Sequence, residues 1–132
     1  MAEIELTREV LGALLAEAER AYPHEACGLL LGVGGKIEGI RPAANVHAAP
    51  QTHFEIDAQA LVDAHRAERQ GGPRVIGYYH SPPHGPAEPS VVDRAQASGD
   101  ERVWAIVGAG AVRFWRDDEA GFVELSTRLA SR

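Results

Sequence analysis

Residues 77–93 read "GYYHSPPHGPAEPSVVD". The tyrosines close a compact apolar run, "PRVIGYYH", whose β-branched and aromatic residues between glycine and proline predict a central strand ending at His80. Prolines at 82, 83, 86 and 89 exclude a helix interior or a ladder strand, so the chain must then cross a loop. Ser90 and Asp93 stand three apart at the end of that loop and predict the start of a short helix. A hydroxyl and a carboxylate at this spacing satisfy free backbone N–H groups as a capping box. A strand ending in His80 that leads into a helix carrying Asp93 also aims an imidazole and a carboxylate at one point, and that pair suits zinc. These residues by themselves carry the capping and the metal reading equally.

Upstream, "EACGLLLGVGGKIEGIRPAANV" (25–46) predicts a hairpin, with a buried strand, a turn at Gly34 and Gly35, and a second strand from Lys36. Before it, Val10, Leu11, Leu14, Leu15, Ala18 and Tyr22 recur at the three-to-four spacing of an amphipathic helix, which Pro23 ends. "HAAPQTHFEI" (47–56) has no clear period and reads as a loop. Asp57 then stands where it would cap a helix carrying Ala60, Leu61, Ala64 and Ala67, stopped by Gly71 and Gly72. Downstream, "RVWAIVG", "AVRFWRD" and "GFVELST" are divided by Gly108–Gly110 and by the acidic turn at 117–120, and predict an antiparallel meander. With no internal repeat, low-complexity tract or linker, residues 1–132 predict a single α+β domain, one sheet packed against helices.

Composition narrows the function classes. A chain of 132 residues, 45% hydrophobic and 24% charged, is long enough and apolar enough to bury its own core. Apolar runs such as 26–31 fall far short of the roughly 20 residues of a membrane span. "MAEIELTREV" lacks the basic start and apolar stretch of a signal peptide, so the expected location is cytoplasmic. A single cysteine, Cys27, agrees with a reducing compartment, and as a small buried hydrophobe it is expected in the core rather than at a reaction centre. A formal charge of -6 without a basic cluster argues against nucleic acid.

"YPHEACGLLLG" at 22–32, followed by "GYYHS", a proline-rich loop and "PSVVDRAQA", resembles the JAMM (MPN+) metallopeptidase family over most of the chain. That family's motif is a Glu on an early strand, then His, one residue, His, seven residues, Ser, two residues, Asp. Glu25, His80, Ser90 and Asp93 match four of the five positions at the family spacing, and Pro82 stands where the second His belongs. The resemblance implies a mixed, mostly antiparallel curved sheet flanked by helices, in a three-layer α/β/α arrangement of MPN/JAB, cytidine-deaminase-like type. It also implies a catalytic Zn2+ held by His80 and Asp93, with Glu25 as general base for the attacking water and Ser90 steadying the oxyanion. Its implied substrate is an amide or isopeptide bond after the C-terminal Gly-Gly tail of a ubiquitin-like or sulfur-carrier protein.

Pro82 divides the expectations. Catalytic zinc usually keeps three protein ligands, and proline supplies no side-chain donor. His84 is the candidate replacement, but two successive prolines favour an extended chain that carries it roughly 12 Å from His80. Two zinc-bound nitrogens lie within about 4 Å of each other, so His84 can serve only if the loop folds back, as a cis bond before Pro82 or Pro83 would allow. Two readings follow: a zinc hydrolase with an altered site, or a scaffold like the family's metal-free members, which pair with relatives and leave room for a homodimer. His24, His47, His53 and His65 read as surface or packing residues. "HEACG" opens like a zincin helix, but Gly28 occupies the place of that motif's second His.

Overall fold

In the computed structural model, which describes residues 3–130, Gly34 (φ 59°) makes the tight turn between β2 (Cys27–Val33) and β3 (Lys36–Ala43), as the glycine pair requires. Ahead of this hairpin lie β1 (Glu3–Leu6) and α1 (Arg8–Ala21). Thr7 caps α1, its Oγ1 accepting from the Val10 N–H at 3.2 Å, and the helix ends at Tyr22, before Pro23. After the hairpin follow α2 (Ala58–Arg69), β4 (Arg74–His80), α3 (Val91–Gln96), β5 (Val103–Gly108), β6 (Ala111–Asp118) and β7 (Gly121–Leu129). Asp57 occupies the cap position of α2 without a side-chain capping bond. Its main-chain carbonyl alone accepts, from Ala60 and Leu61.

The three-layer expectation is corrected by the way the sheet closes. β1, which carries no sequence signal of its own, pairs in parallel with β3 at Glu5 and Leu6 and with β7 along Glu3–Leu6. It thereby joins the two ends of the order β3-β2-β4-β5-β6-β7 into a barrel. The sheet is mixed and α+β as expected: the β2–β3, β2–β4, β5–β6 and β6–β7 ladders are antiparallel, while β4 and β5 run parallel, as strands joined by a crossover through α3 can. β4 and β5 meet so closely that a Cβ on Gly77 would lie 1.7 Å from the Val103 carbonyl oxygen.

Both faces of β2 are covered, which explains its continuous apolar run. Leu30 enters the main core with Ile4, Leu6, Leu14, Ile37 and Phe114, beneath α1. Leu29, its neighbour on the opposite face, packs with Val75 and Ala64 of α2. Among the described residues no helix is long and apolar enough to cross a membrane.

Candidate active site

The site forms where β2 begins and β4 ends. Cys27 pairs with His80, and one step beyond the strands the pairing continues through a side chain: Ser81 donates its N–H to the Ala26 carbonyl at 3.1 Å, and the Ala26 N–H donates to Ser81 Oγ at 2.8 Å. This lock sets Glu25 beside His80, with Oε1 2.9 Å from Nδ1. Glu25 was expected on the strand itself. It precedes β2 by two residues, and its N–H is taken by the Pro50 carbonyl at 2.7 Å.

Asp93 approaches His80 from the other side. Ser90 and Asp93 form the capping box of α3: Ser90 Oγ accepts from the Asp93 N–H at 3.0 Å, and the Ser90 N–H donates to Asp93 Oδ2 at 2.9 Å. The same Oδ2 lies 3.3 Å from His80 Nε2, close enough for charge pairing although Nε2 makes no hydrogen bond. Glu25, His80 and Asp93 are 5%, 2% and 3% exposed, so the contacts act with little screening by water. Burial is the largest influence on His80 and favours the neutral ring, but its contacts with Asp93 and Glu25 together outweigh it and raise its pKa to about 8. Burial likewise pushes the Asp93 carboxyl up, and His80 with the Ser90 N–H more than offsets this, leaving it below its ordinary value.

A pH dependence follows for protein freed of divalent metal. His80 binds its proton more tightly folded than unfolded, so its contribution is complete below the ordinary histidine value of about 6.5 and is lost as pH rises through about 8. Chelator-treated protein is expected to lose on the order of 1–2 kcal/mol of unfolding free energy over that window. Urea unfolding at pH 6 and pH 9 checks it, and a His80→Gln variant should flatten the difference.

Glu25, His80, Asp93 and Ser90 border one cleft of about 240 Å³, whose lining also includes Pro82, Pro83 and His84. The proline-rich loop is anchored rather than loose. Trp115 Nε1 donates to the Ala87 carbonyl at 3.1 Å, Arg113 pairs with Glu88 at 3.3 Å, and Gly108 leaves space for the backbone at Gly85 and Pro86. The bonds before Pro82 and Pro83 are trans. His84 borders the cleft but is exposed, and its ring meets Tyr22 edge-on at 5.8 Å.

Among the described residues no group of three or more His, Cys, Asp or Glu side chains is disposed to hold a metal ion. His80 and Asp93 therefore stand as a pair. Their chemistry suits zinc, and Nε2 is a buried nitrogen without a hydrogen bond, but the third donor of a catalytic zinc site is missing from the set. The fit is incomplete.

Phe54 is one residue that sequence reasoning missed. Its ring stacks on His80, with centroids 4.4 Å apart and planes 14° from parallel. The available signal was a lone large aromatic in the aperiodic stretch 47–56. His53 also borders the cleft and stacks on His47 at 4.7 Å, whereas His65 sits 3.5 Å from Glu68 and His24 is exposed, as expected of surface residues. Cys27 is buried, and burial, reinforced by the Glu25 charge, pushes its thiol up to about 12. Iodoacetamide is accordingly expected to leave Cys27 unmodified in the folded protein and to label it fully in denaturant; rapid labelling of the native chain would contradict this placement.

Comparison with known proteins adds to this geometry. The family described as prokaryotic homologs of the JAB domain matches residues 7–118. A probable TtuB-protein conjugate cleaving protease of Thermus thermophilus is 38% identical over 70% of this chain and 59% of its own length. Tail tip assembly protein K of Escherichia phage N15 is 30% identical over 77% of this chain, and a CysO-cysteine peptidase of Mycobacterium tuberculosis is 29% identical over 75% of this chain and 68% of its own length. The chain thus spans 40% of the phage protein and 59% of the Thermus protease. Among solved structures, a protein from Desulfitobacterium hafniense superposes with a TM-score of 0.85 at 29% identity, covering 98% of this chain and 94% of that one. A JAB1/MPN domain protein from Archaeoglobus fulgidus shares the fold at a TM-score of 0.60 and 19% identity, over 95% of this chain and 96% of its own.

Proposed function

The chain belongs to the prokaryotic homologs of the JAB domain, and from that premise we propose that it is a zinc-dependent peptidase acting on the C-terminal tail of a ubiquitin-like or sulfur-carrier protein. The bond cleaved is the amide or isopeptide bond after Gly-Gly. One observation carries the reading: Glu25, 55 positions ahead of His80, meets His80, Ser90 and Asp93 around a single cleft at the end of β4. The names of the Thermus and Mycobacterium relatives, a conjugate-cleaving protease and a CysO-cysteine peptidase, support the reaction class.

His80 and Asp93 are the residues that would hold zinc. Bound there, the ion would supply positive charge to polarise a carbonyl and would bring the pKa of water to about 7. Everything else falls to the chain. Glu25 borders the same cleft and is the carboxylate free of the capping box, so it takes the proton released by water and returns it to the departing amine. Ser90 Oγ accepts from the Asp93 N–H and keeps its own proton for an oxyanion. The substrate tail lies in the cleft instead of adding a strand there, because His80 already has Cys27 on one side and Ile106 on the other.

The missing third donor favours a second reading, a binding module that holds the same tail without cleaving it. Zinc content per chain after dialysis against a weak chelator separates the two. Near-stoichiometric zinc that is lost in Asp93→Ala, together with release of the carrier from a conjugate, supports the peptidase. A folded, zinc-free chain that binds carrier and releases nothing overturns it in favour of the binding module.

A further inference from the structure

The aperiodic stretch between β3 and α2 is organised by one side chain. Asn45 Nδ2 donates to the His53 carbonyl at 3.0 Å and to the Glu25 carbonyl at 3.1 Å. Its Oδ1 accepts from the Glu55 N–H and the His47 N–H, both at 3.1 Å. The amide thus grips the peptide groups on either side of Phe54, the residue whose ring lies flat on His80. It also grips the main chain of Glu25, the residue that holds His80 Nδ1. Backbone pairing supports the same geometry: Val46 donates to the Glu55 carbonyl at 2.9 Å, and Asn45 bridges to Ile56.

We infer that Asn45 is a positioning residue for the site: it fixes Glu25 and the Phe54 roof relative to each other, so that His80 is held between a carboxylate at its edge and an aromatic ring on its face. The chemical argument is one of fit. A primary amide offers two donors and an acceptor with two lone pairs, and here two carbonyls and two N–H groups use that capacity at normal hydrogen-bond lengths. No other side chain of similar size presents two N–H donors together with an oxygen that accepts twice. Aspartate keeps the two accepted bonds and sets a negative charge against two carbonyl oxygens; alanine keeps none. The consequence for turnover rests on the peptidase reading, while the placement of Phe54 does not.

Nuclear magnetic resonance of the full chain, freed of metal and held at pH 6, tests the inference. Phe54 stacking should displace the His80 ring-proton signals upfield. Asn45→Ala is expected to abolish that displacement and to speed amide exchange at His47 and Glu55 at least tenfold. Asn45→Asp is expected to keep those two amides protected while losing the displacement, so it decides the matter if the alanine variant does not fold. Asp117→Ala serves as a control for general loosening, since Asp117 organises a different turn by accepting from Ser98 and Gly99 at 3.0 and 3.1 Å. It should lower stability and leave the His80 signals in place. An unchanged His80 displacement in either Asn45 variant, or an equal loss in Asp117→Ala, overturns the positioning role. In turnover assays Asn45→Asp should reduce kcat about tenfold with KM within twofold. A parent chain without turnover refutes the peptidase reading and leaves the resonance result standing.

Discussion

Replacing Pro82 by histidine is expected to raise zinc affinity by well over 10-fold. Outer-sphere partners of metal ligands change affinity by about 10–100-fold, and a third direct donor should do at least as much. The expectation is geometric as well as chemical. Residue 82 borders the cleft that holds His80 and Asp93, and in an extended chain it lies on the same side as residue 80. Loss of a loop proline should cost up to about 1 kcal/mol through the unfolded chain, which a denaturation curve reads separately from metal binding. Competition with a chromogenic chelator measures the affinity. If Pro82→His binds zinc no better than the parent, residue 82 is turned away from the pair, and the peptidase reading loses its route to a complete site.

The second large effect is expected from Glu25→Gln. If Glu25 carries the proton from water to the leaving amine, turnover should fall by about 10²–10⁴-fold, the usual contribution of a positioned acid or base. Zinc content should hardly move, since Glu25 touches the Nδ1 side of His80 and glutamine can still hydrogen-bond there. Where the parent chain turns over too slowly to follow, Pro82→His is the background for this comparison. Turnover unchanged by Glu25→Gln removes Glu25 from the mechanism. A parallel loss of zinc would make its role one of orienting His80 instead.

Much of the frame was legible because its signals are local. The glycine pair at 34 and 35 announced the hairpin, Pro23 the end of α1, and the run closing at His80 the central strand. β1 was not legible. Four residues cannot establish a period, and their partners in β7 lie more than 120 positions away, so only the closed barrel reveals them. The site divides the same way. Glu25, His80, Ser90 and Asp93 stood out by their match to the JAMM motif, whereas Phe54 and Asn45 did not. A ring and an amide in a loop acquire their roles only through contacts with residues remote in the chain.

The four motif residues are also joined into a single chain of contacts: Glu25 to His80, His80 to Asp93, Asp93 to Ser90. Exchanging one of the three buried members strands a charge or an imidazole below the surface, at a cost of several kcal/mol, and exchanging Ser90 uncaps a helix of only six residues. Pro82 lies outside that chain. Position 82 can therefore change without stranding a buried group, whereas a change at any of the other four carries a cost in stability. Retention of the four is thus what stability demands as well as what catalysis demands, and zinc content is the measurement that separates the two demands.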